Sequence, residues 1–227
     1  MTTAFELIAK TLSGRVPPRV LVWGFLNTLN RSLKTGNRRF EFERLYLEHP
    51  DPWNYLTSAY ERQKYERVLA AALESRAGTR CALEVGCSLG VFSGMLAGHF
   101  ERVTAIDVSK EALAAAMRLN HGKRNLRFIR RHLQTLEVDE RYDVIFCAEI
   151  LYYIREEEVD LVCRQLDRYL AKQGIIVLVT GLPPGSGDSF YFNEWENVFA
   201  ARFQQVRNEI VQNPLRPYLI AVFSRRG

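Results

Sequence analysis

Histidine is scarce in this chain: 227 residues hold four, at positions 49, 99, 121 and 132, and the last 95 residues hold none. Cysteine is equally sparse. The four cysteines, at 81, 87, 147 and 163, show no metal-ligand spacing, which argues against a zinc site. They read as small buried hydrophobes in a reducing compartment. Long apolar runs are missing too: Val20 to Leu26, the longest near the start, falls far short of the ~20 residues that span a membrane. No charged segment leads into an apolar stretch and a cleavage site. Together these absences predict a cytoplasmic protein without a membrane span. There is no internal repeat and no low-complexity tract. The basic clusters at 31–44 and 123–131 lack the interleaved aromatics that would stack bases. A net charge of +5 and a pI near 9.1 therefore read as the mildly basic surface of a soluble enzyme. A nucleic-acid partner remains the weaker alternative.

What is present centres on one stretch, Cys81-Ala-Leu-Glu-Val-Gly-Cys-Ser-Leu-Gly90. It reads as a short strand, Cys81 to Val85, a glycine-bounded turn, and a helix from Val91. A second strand, Arg102 to Asp107, ends on a lone carboxylate. Glycine lets backbone approach a ligand closely, and a carboxylate after the next strand can accept from both ribose hydroxyls. Gly86 and Asp107 are 21 positions apart, close to the ~20 of such nucleoside sites. The dinucleotide fingerprint is excluded, because its third glycine would fall at Val91. Gly86-Cys-Ser-Leu-Gly90 also spells the hydrolase nucleophile elbow, Gly-x-Ser-x-Gly. That reading needs a late histidine and strands upstream of the elbow, and the sequence offers neither.

An apolar share of 47% suits one α/β domain with an N-terminal extension. Residues 1–40 form that extension: a short amphipathic helix over Phe5 to Leu12, then a helix over Val20 to Leu33. The apolar face of the second helix wants cover, so the extension is expected to pack against the fold or to form a homodimer rather than to lie on a membrane surface. Residues 41–76 carry a helix at Phe40 to Glu48, a rigid turn at His49-Pro-Asp-Pro-Trp53, and a helix at Ser58 to Glu74. On the latter, Tyr60, Lys64 and Val68 share one face. Lys64 is either a lysine whose stem lies on the core or a cation for a ligand carboxylate. From 77 to 227 strands alternate with helices, as in a parallel sheet covered on both faces. Strands are expected at Leu126 to Arg130, Tyr142 to Ala148 and Ile175 to Thr180. An antiparallel pair follows, Phe203 to Val211 and Leu215 to Ser224. The helix over Arg155 to Ala171 should stop at Gly174, and Gly181 to Gly187 reads as a loop able to close over a ligand.

Glu84-x-Gly86-x-Ser88-x-Gly90, then Asp107, then Tyr142-Asp-Val-Ile-Phe-Cys-Ala-Glu149, resembles the class I S-adenosylmethionine-dependent methyltransferases. The pattern departs in one place, Ser88 for the middle glycine. Phe42-Glu-Arg-Leu-Tyr46, Asp51-Pro-Trp53 and Tyr60-Glu-Arg-Gln-Lys64 resemble the nodulation-type (NodS-like) N-methyltransferases of amino sugars. The resemblance implies a doubly wound, mostly parallel, seven-stranded Rossmann-like sheet, with 41–76 covering the site of S-adenosylmethionine. It places Trp53, Tyr60 and Lys64 on the cofactor side, with Glu84, Gly86, Ser88 and Gly90 along the methionine and ribose. Asp107 and Val108 would take the ribose diol. Arg131, His132 and Leu133 would flank the adenine, where His132 either accepts from the amino group or is a surface histidine. Ala148 would contact the cofactor, with the Glu149 carboxylate facing the sulfonium and Tyr152 and Tyr153 just beyond, these three as catalytic groups toward the acceptor. The function implied is methylation of an amine nitrogen on a small polar metabolite, yielding S-adenosylhomocysteine. The alternatives are an O-methyltransferase, an RNA methyltransferase, or a non-catalytic binding protein on the same fold.

Overall fold

The computed structural model describes residues 38–75, 78–154, 156–182, 198–213 and 216–226. The chain divides into two units, Met1–Glu41 and Phe42–Gly227, and the whole sheet belongs to the second. The expected helices at 5–12 and 20–33, dimerisation through them, and 183–187 of the expected loop lie outside the described residues.

Seven strands form one sheet in the order β3-β2-β1-β4-β5-β7-β6. They are β1 (Cys81–Val85), β2 (Arg102–Asp107), β3 (Leu126–Arg130), β4 (Tyr142–Ala148), β5 (Leu170–Gly181), β6 (Phe203–Val211) and β7 (Tyr218–Arg225). The first five pair in parallel, and β7 runs antiparallel to both β5 and β6. This is the doubly wound sheet that the alternating pattern predicts.

Central strands buried on both faces read as near-continuous apolar runs, as in Ile175 to Val179 of β5 and Tyr218 to Phe223 of β7. Side chains alternate between two cores. One holds Leu83, Ile145, Ile176 and Leu178 against Val162, Cys163 and Leu166 of helix α5 (Val159–Tyr169). The other holds Ala82, Val144, Phe146 and Val177 against Tyr65, Val68 and Leu69 of helix α2 (Ala59–Glu74) and Phe92 of helix α3 (Val91–Leu96). Tyr65 stacks on Phe92 with ring centroids 4.7 Å apart. Ser58 caps α2 by accepting from Glu61 N at 3.3 Å. All four cysteines are buried and free.

Several boundaries differ from the sequence expectation: helix α5 starts at Val159 rather than Arg155, after a 3-10 turn at Glu156–Glu158, and β5 runs from Leu170 to Gly181 rather than from Ile175 to Thr180. Helix α5 ends at Tyr169, because Leu170 turns extended and pairs with Tyr142 before a bulge restores register at Val144 and Ile175. Sheet pairing overrides helix propensity there. Strand β7 starts at Tyr218 rather than Leu215, directly after Pro217, which has no N–H for the ladder.

At the far edge, α2 is tied to β6 by ions. Arg67 meets both carboxylate oxygens of Glu209 at 2.8 and 2.9 Å, and Arg207 bridges Glu74 at 2.7 Å and Glu209 at 2.6 Å.

Gly90 caps α3 with φ 72°, and a Cβ there would come within 2.8 Å of Ala116 Cβ and 2.9 Å of Asn120 Nδ2. Asn120 is buried and donates to Gly90 O at 2.9 Å. Gly90→Ala combines left-handed strain with overpacking and is expected to cost about 2–4 kcal/mol in urea unfolding. A cost below about 0.5 kcal/mol would mean that the turn gives way freely.

Candidate cofactor and acceptor site

The strand order reverses between β1 and β4, and ligands of such sheets sit in the crevice outside the carboxyl ends at that point. Three buried carboxylates mark those ends: Glu84, Asp107 and Glu149. Each is held differently.

Asp107 is held by backbone. Its Oδ2 accepts from Ser88 N and its Oδ1 from Ser109 N, both at 2.9 Å. Burial raises its pKa, and the Ser109 and Ser88 N–H groups oppose that. A carboxylate has about four lone-pair sites in all, so Asp107 keeps acceptor capacity for a further donor such as a ribose hydroxyl. The turn that presents Ser88 is fixed by Gly86 N and Cys87 N donating to Ile106 O at 2.8 and 3.0 Å. Gly86 has φ 78°, and a Cβ on it would collide with Ile150. Ser88 itself has φ 49°, left-handed for a residue with a side chain.

Helix α1 (Arg38–Glu48) lies against this turn from Phe42 onward. The hydroxyl of buried Tyr46 is 2.6 Å from Ser88 Oγ. Glu43 accepts from Ser109 Oγ at 2.6 Å and Lys110 N at 2.8 Å, capping helix α4 (Lys110–Leu119), and pairs with Arg130 at 2.6 Å. Arg130 also donates to Val108 O at 3.2 Å.

Glu84 accepts from Ser93 Oγ at 2.5 Å. Among the described residues no cation pairs with it, and burial pushes its pKa up to about 8. A buried carboxyl in that state suits an incoming ammonium, which would draw it into the ionised form.

Glu149, by contrast, is fully compensated. Lys64 Nζ donates to Oε1 at 3.0 Å, while Gly181 N and Arg216 reach Oε2 at 3.1 and 3.3 Å. Burial alone would raise its pKa, but Lys64 and Arg216 outweigh it and hold the group at about 2. Lys64 is 2% exposed. Glu61 Oε2 stands 2.8 Å from Nζ as an ion pair without hydrogen-bond alignment, and the Tyr60 ring lies 5.2 Å away. Burial lowers the Lys64 pKa, yet Glu149 and Glu61 carry it to about 12. Two cations thus meet two carboxylates. A carboxylate so held is a weak base, and Lys64 is occupied with protein carboxylates rather than directed at a ligand's.

The remaining predicted residues are scattered around these groups. Tyr60 donates to Arg216 O at 3.0 Å. Arg131 and His132 are exposed, and Leu133 is buried at the start of a single 3-10 turn. Ala148 is half-buried at the end of β4. Tyr153 is half-buried edge-on to Phe42 at 5.0 Å, and Tyr152 precedes it in the same 3-10 turn. Sequence reasoning missed Glu43, Tyr46, Glu61 and Arg216. A serine in a glycine's place was a signal for Tyr46, since a buried hydroxyl needs a partner; nothing in the sequence pointed to Arg216. Among the described residues no cluster could hold a metal, and no helix is long and apolar enough to cross a membrane.

Residues 37–183 match the family model for Nodulation protein S (NodS). The chain belongs to the NodS family. It is 37% identical over 130 residues to Nodulation protein S of Bradyrhizobium diazoefficiens, covering 56% of this chain and 61% of that one. To that of Rhizobium tropici it is 29% identical over 192 residues, 82% of this chain and 78% of the other. The crystal structure of N-methyltransferase NodS from Bradyrhizobium japonicum WM9 with S-adenosylhomocysteine superposes with a TM-score of 0.72 at 21% identity, covering 84% of this chain and all of that one. The fold is therefore that of the S-adenosylmethionine-dependent methyltransferases. Within this NodS-family chain, the glycine-bounded turn and Asp107 stand at the carboxyl ends of β1 and β2, beside the point where the strand order reverses.

Removing one partner of a buried ion pair leaves an uncompensated charge. Lys64→Met is expected to cost about 3–5 kcal/mol in urea unfolding, and Lys64→Met with Glu149→Gln much less. A single-variant cost below about 1 kcal/mol would mean that water reaches the pair. The Glu149 pKa is depressed on folding, so its stabilisation is present above its ordinary value of 4.5 and lost as pH falls toward 2. In the Gln variant that acid limb should flatten.

Proposed function

We propose that this protein is an S-adenosylmethionine-dependent methyltransferase that methylates an amine nitrogen of a small polar acceptor, an amino sugar or related glycan amine. The observation that carries the reading is the switch-point site itself: a glycine-bounded turn whose central N–H is bonded to the Asp107 carboxylate at the end of the neighbouring strand. Membership of the NodS family supports transfer to nitrogen, and the segment 51–64 supports the amino-sugar branch.

The residues fit the cofactor by their chemistry. Asp107 keeps acceptor capacity for the ribose diol, and Glu84 offers an unpaired buried carboxyl to an amino group. The bound cofactor supplies a methyl carbon on a sulfonium. That methyl would pass in line to the acceptor's nitrogen, its electron pair returning to sulfur, and the nitrogen would then lose one proton. Positioning of this kind supplies up to about 7–11 kcal/mol and needs little acid-base help. Glu149 serves as a strut: its ion pair with Lys64 fixes the left-handed exit of β4 (φ 57°) that leads to Tyr152 and Tyr153 on the acceptor side. The proton leaves to solvent or along those phenols, because a carboxylate held at about 2 takes up little at neutral pH.

The Glu84 pKa is raised on folding, so below about pH 8 the carboxyl must release its proton to meet the cofactor's ammonium. Affinity for S-adenosylhomocysteine, read by calorimetry, should rise from pH 6 to pH 8, by up to about tenfold per unit. In Glu84→Gln the profile should be flat; the same slope there would assign the titration elsewhere.

Labelled S-adenosylmethionine incubated with amino sugars, phenolic metabolites and bulk RNA in separate panels tests the acceptor class. Label is expected on the amine panel. Label confined to RNA or to phenolic oxygen overturns the amine reading, and a wild-type protein that fails to bind S-adenosylhomocysteine overturns the methyltransferase reading.

A further inference from the structure

Gly181, the last residue of β5, does not have the left-handed backbone that calls for glycine. Its empty side-chain position is a matter of space. A Cβ there would collide with Nη2, Cζ and Nε of Arg216, so the face of the guanidinium lies against the strand end. Two further contacts fix the arginine. Its Nη2 donates to Glu149 Oε2 at 3.3 Å, and its backbone carbonyl accepts from the Tyr60 hydroxyl at 3.0 Å. Leu182 N donates to Pro217 O at 2.7 Å, which closes the exit of β5 onto the entry of β7.

Holding Glu149 does not account for this arrangement. Arg216 is the most distant of three donors to that carboxylate, behind Lys64 at 3.0 Å and Gly181 N at 3.1 Å. It is also the open member of the cluster: 26% of its side chain is exposed, against 2% for Lys64 and 8% for Glu149. A guanidinium carries five N–H donors in a rigid fork. This one stands at the carboxyl ends of β4 and β5, the side from which ligands of such sheets are reached. Lys64 and Arg216 face Glu61 and Glu149, two cations to two carboxylates, so its charge is already matched. Such a group offers directed donors with little net field, which suits a neutral oxygen better than a phosphate. We propose that Arg216 is a specificity-determining residue for the acceptor, donating to a hydroxyl oxygen near the amine, and that Gly181 is the positioning residue that seats its fork. The proposal rests on the amine reading above and deepens it: the acceptor is a polyhydroxylated amine, not a plain alkylamine or a phosphorylated one.

The test compares wild type, Arg216→Gln, Arg216→Lys, Gly181→Ala and the double variant Gly181→Ala/Arg216→Gln. Each is assayed for methyl transfer to glucosamine, cyclohexylamine and phosphoethanolamine, titrated calorimetrically with S-adenosylhomocysteine, and melted in parallel. Wild type should favour glucosamine. Arg216→Gln is expected to lower kcat/KM for glucosamine roughly tenfold, chiefly through KM, with cofactor affinity and transfer to cyclohexylamine within about twofold of wild type. Gly181→Ala, which displaces the fork, should lose about fivefold on glucosamine, and the double variant no more than Arg216→Gln. Arg216→Lys keeps the charge beside Glu149 without the fork. It should melt near wild type yet still lose severalfold on glucosamine, and it stands in if the glutamine variant fails to fold. Equal losses on glucosamine and cyclohexylamine, or a matching loss of cofactor affinity, make Arg216 a structural tie and overturn the proposal. A loss confined to phosphoethanolamine, or additive losses in the double variant, overturn it as well. Wild type that binds S-adenosylhomocysteine but methylates none of the three amines removes the amine reading and this inference with it. Wild type active on glucosamine with silent variants removes the inference alone.

Discussion

An ionised carboxylate in a water-poor interior requires a counter-charge, and the pairing of Glu149 with Lys64 supplies it. Much of the crevice depends on this contact. Glu149 is the first residue beyond β4, its backbone is left-handed, and its N–H closes onto Val179 O at 2.9 Å. That bend directs Ile150 against Gly86, which joins the exits of β4 and β1. The cation comes from α2, so the same contact fixes the rotation of that helix on the sheet. Lysine on an apolar helix face is explained by its partner across 85 residues of sequence.

The three carboxylates at the strand ends form a graded series. Glu149 is neutralised by cations and stays ionised to about pH 2. Asp107 is satisfied by backbone N–H groups and keeps room for more. Glu84 has one hydroxyl donor and titrates near 8. The zwitterionic, diol-bearing ligand proposed for this site needs unsatisfied capacity at two of these places and none at the third. The environment, rather than the residue type, assigns each role.

Strand placement was largely legible, because central strands of a parallel sheet carry unbroken apolar runs and end on glycine or acidic residues. The bounds of β1, β2, β3, β4 and β6 were read directly from that pattern. The end of α5 was not, since Leu170 obeys a pairing with Tyr142 that no local window contains. Asp107 and the turn were found through spacing. The partnership of Lys64 with Glu149 was not, because it depends on two segments meeting in space. Tyr46 escaped for the same reason: its helix shows half-buried aromatics but no mark of which strand turn it faces.

Helix α2 carries two ion clusters one turn apart, and they differ in their access to water. Lys64 is sealed, while three residues on, Arg67 is 36% exposed in its bridge to Glu209. Salt ions screen charges they can approach within about 8–10 Å through solvent and act weakly on those they cannot. Ionic strength therefore reaches one end of this arrangement and spares the other. Concentrated salt loosens the hold of the helix on the edge strand β6 while the bond that shapes the crevice persists, so the outer sheet can yield without disturbing the site.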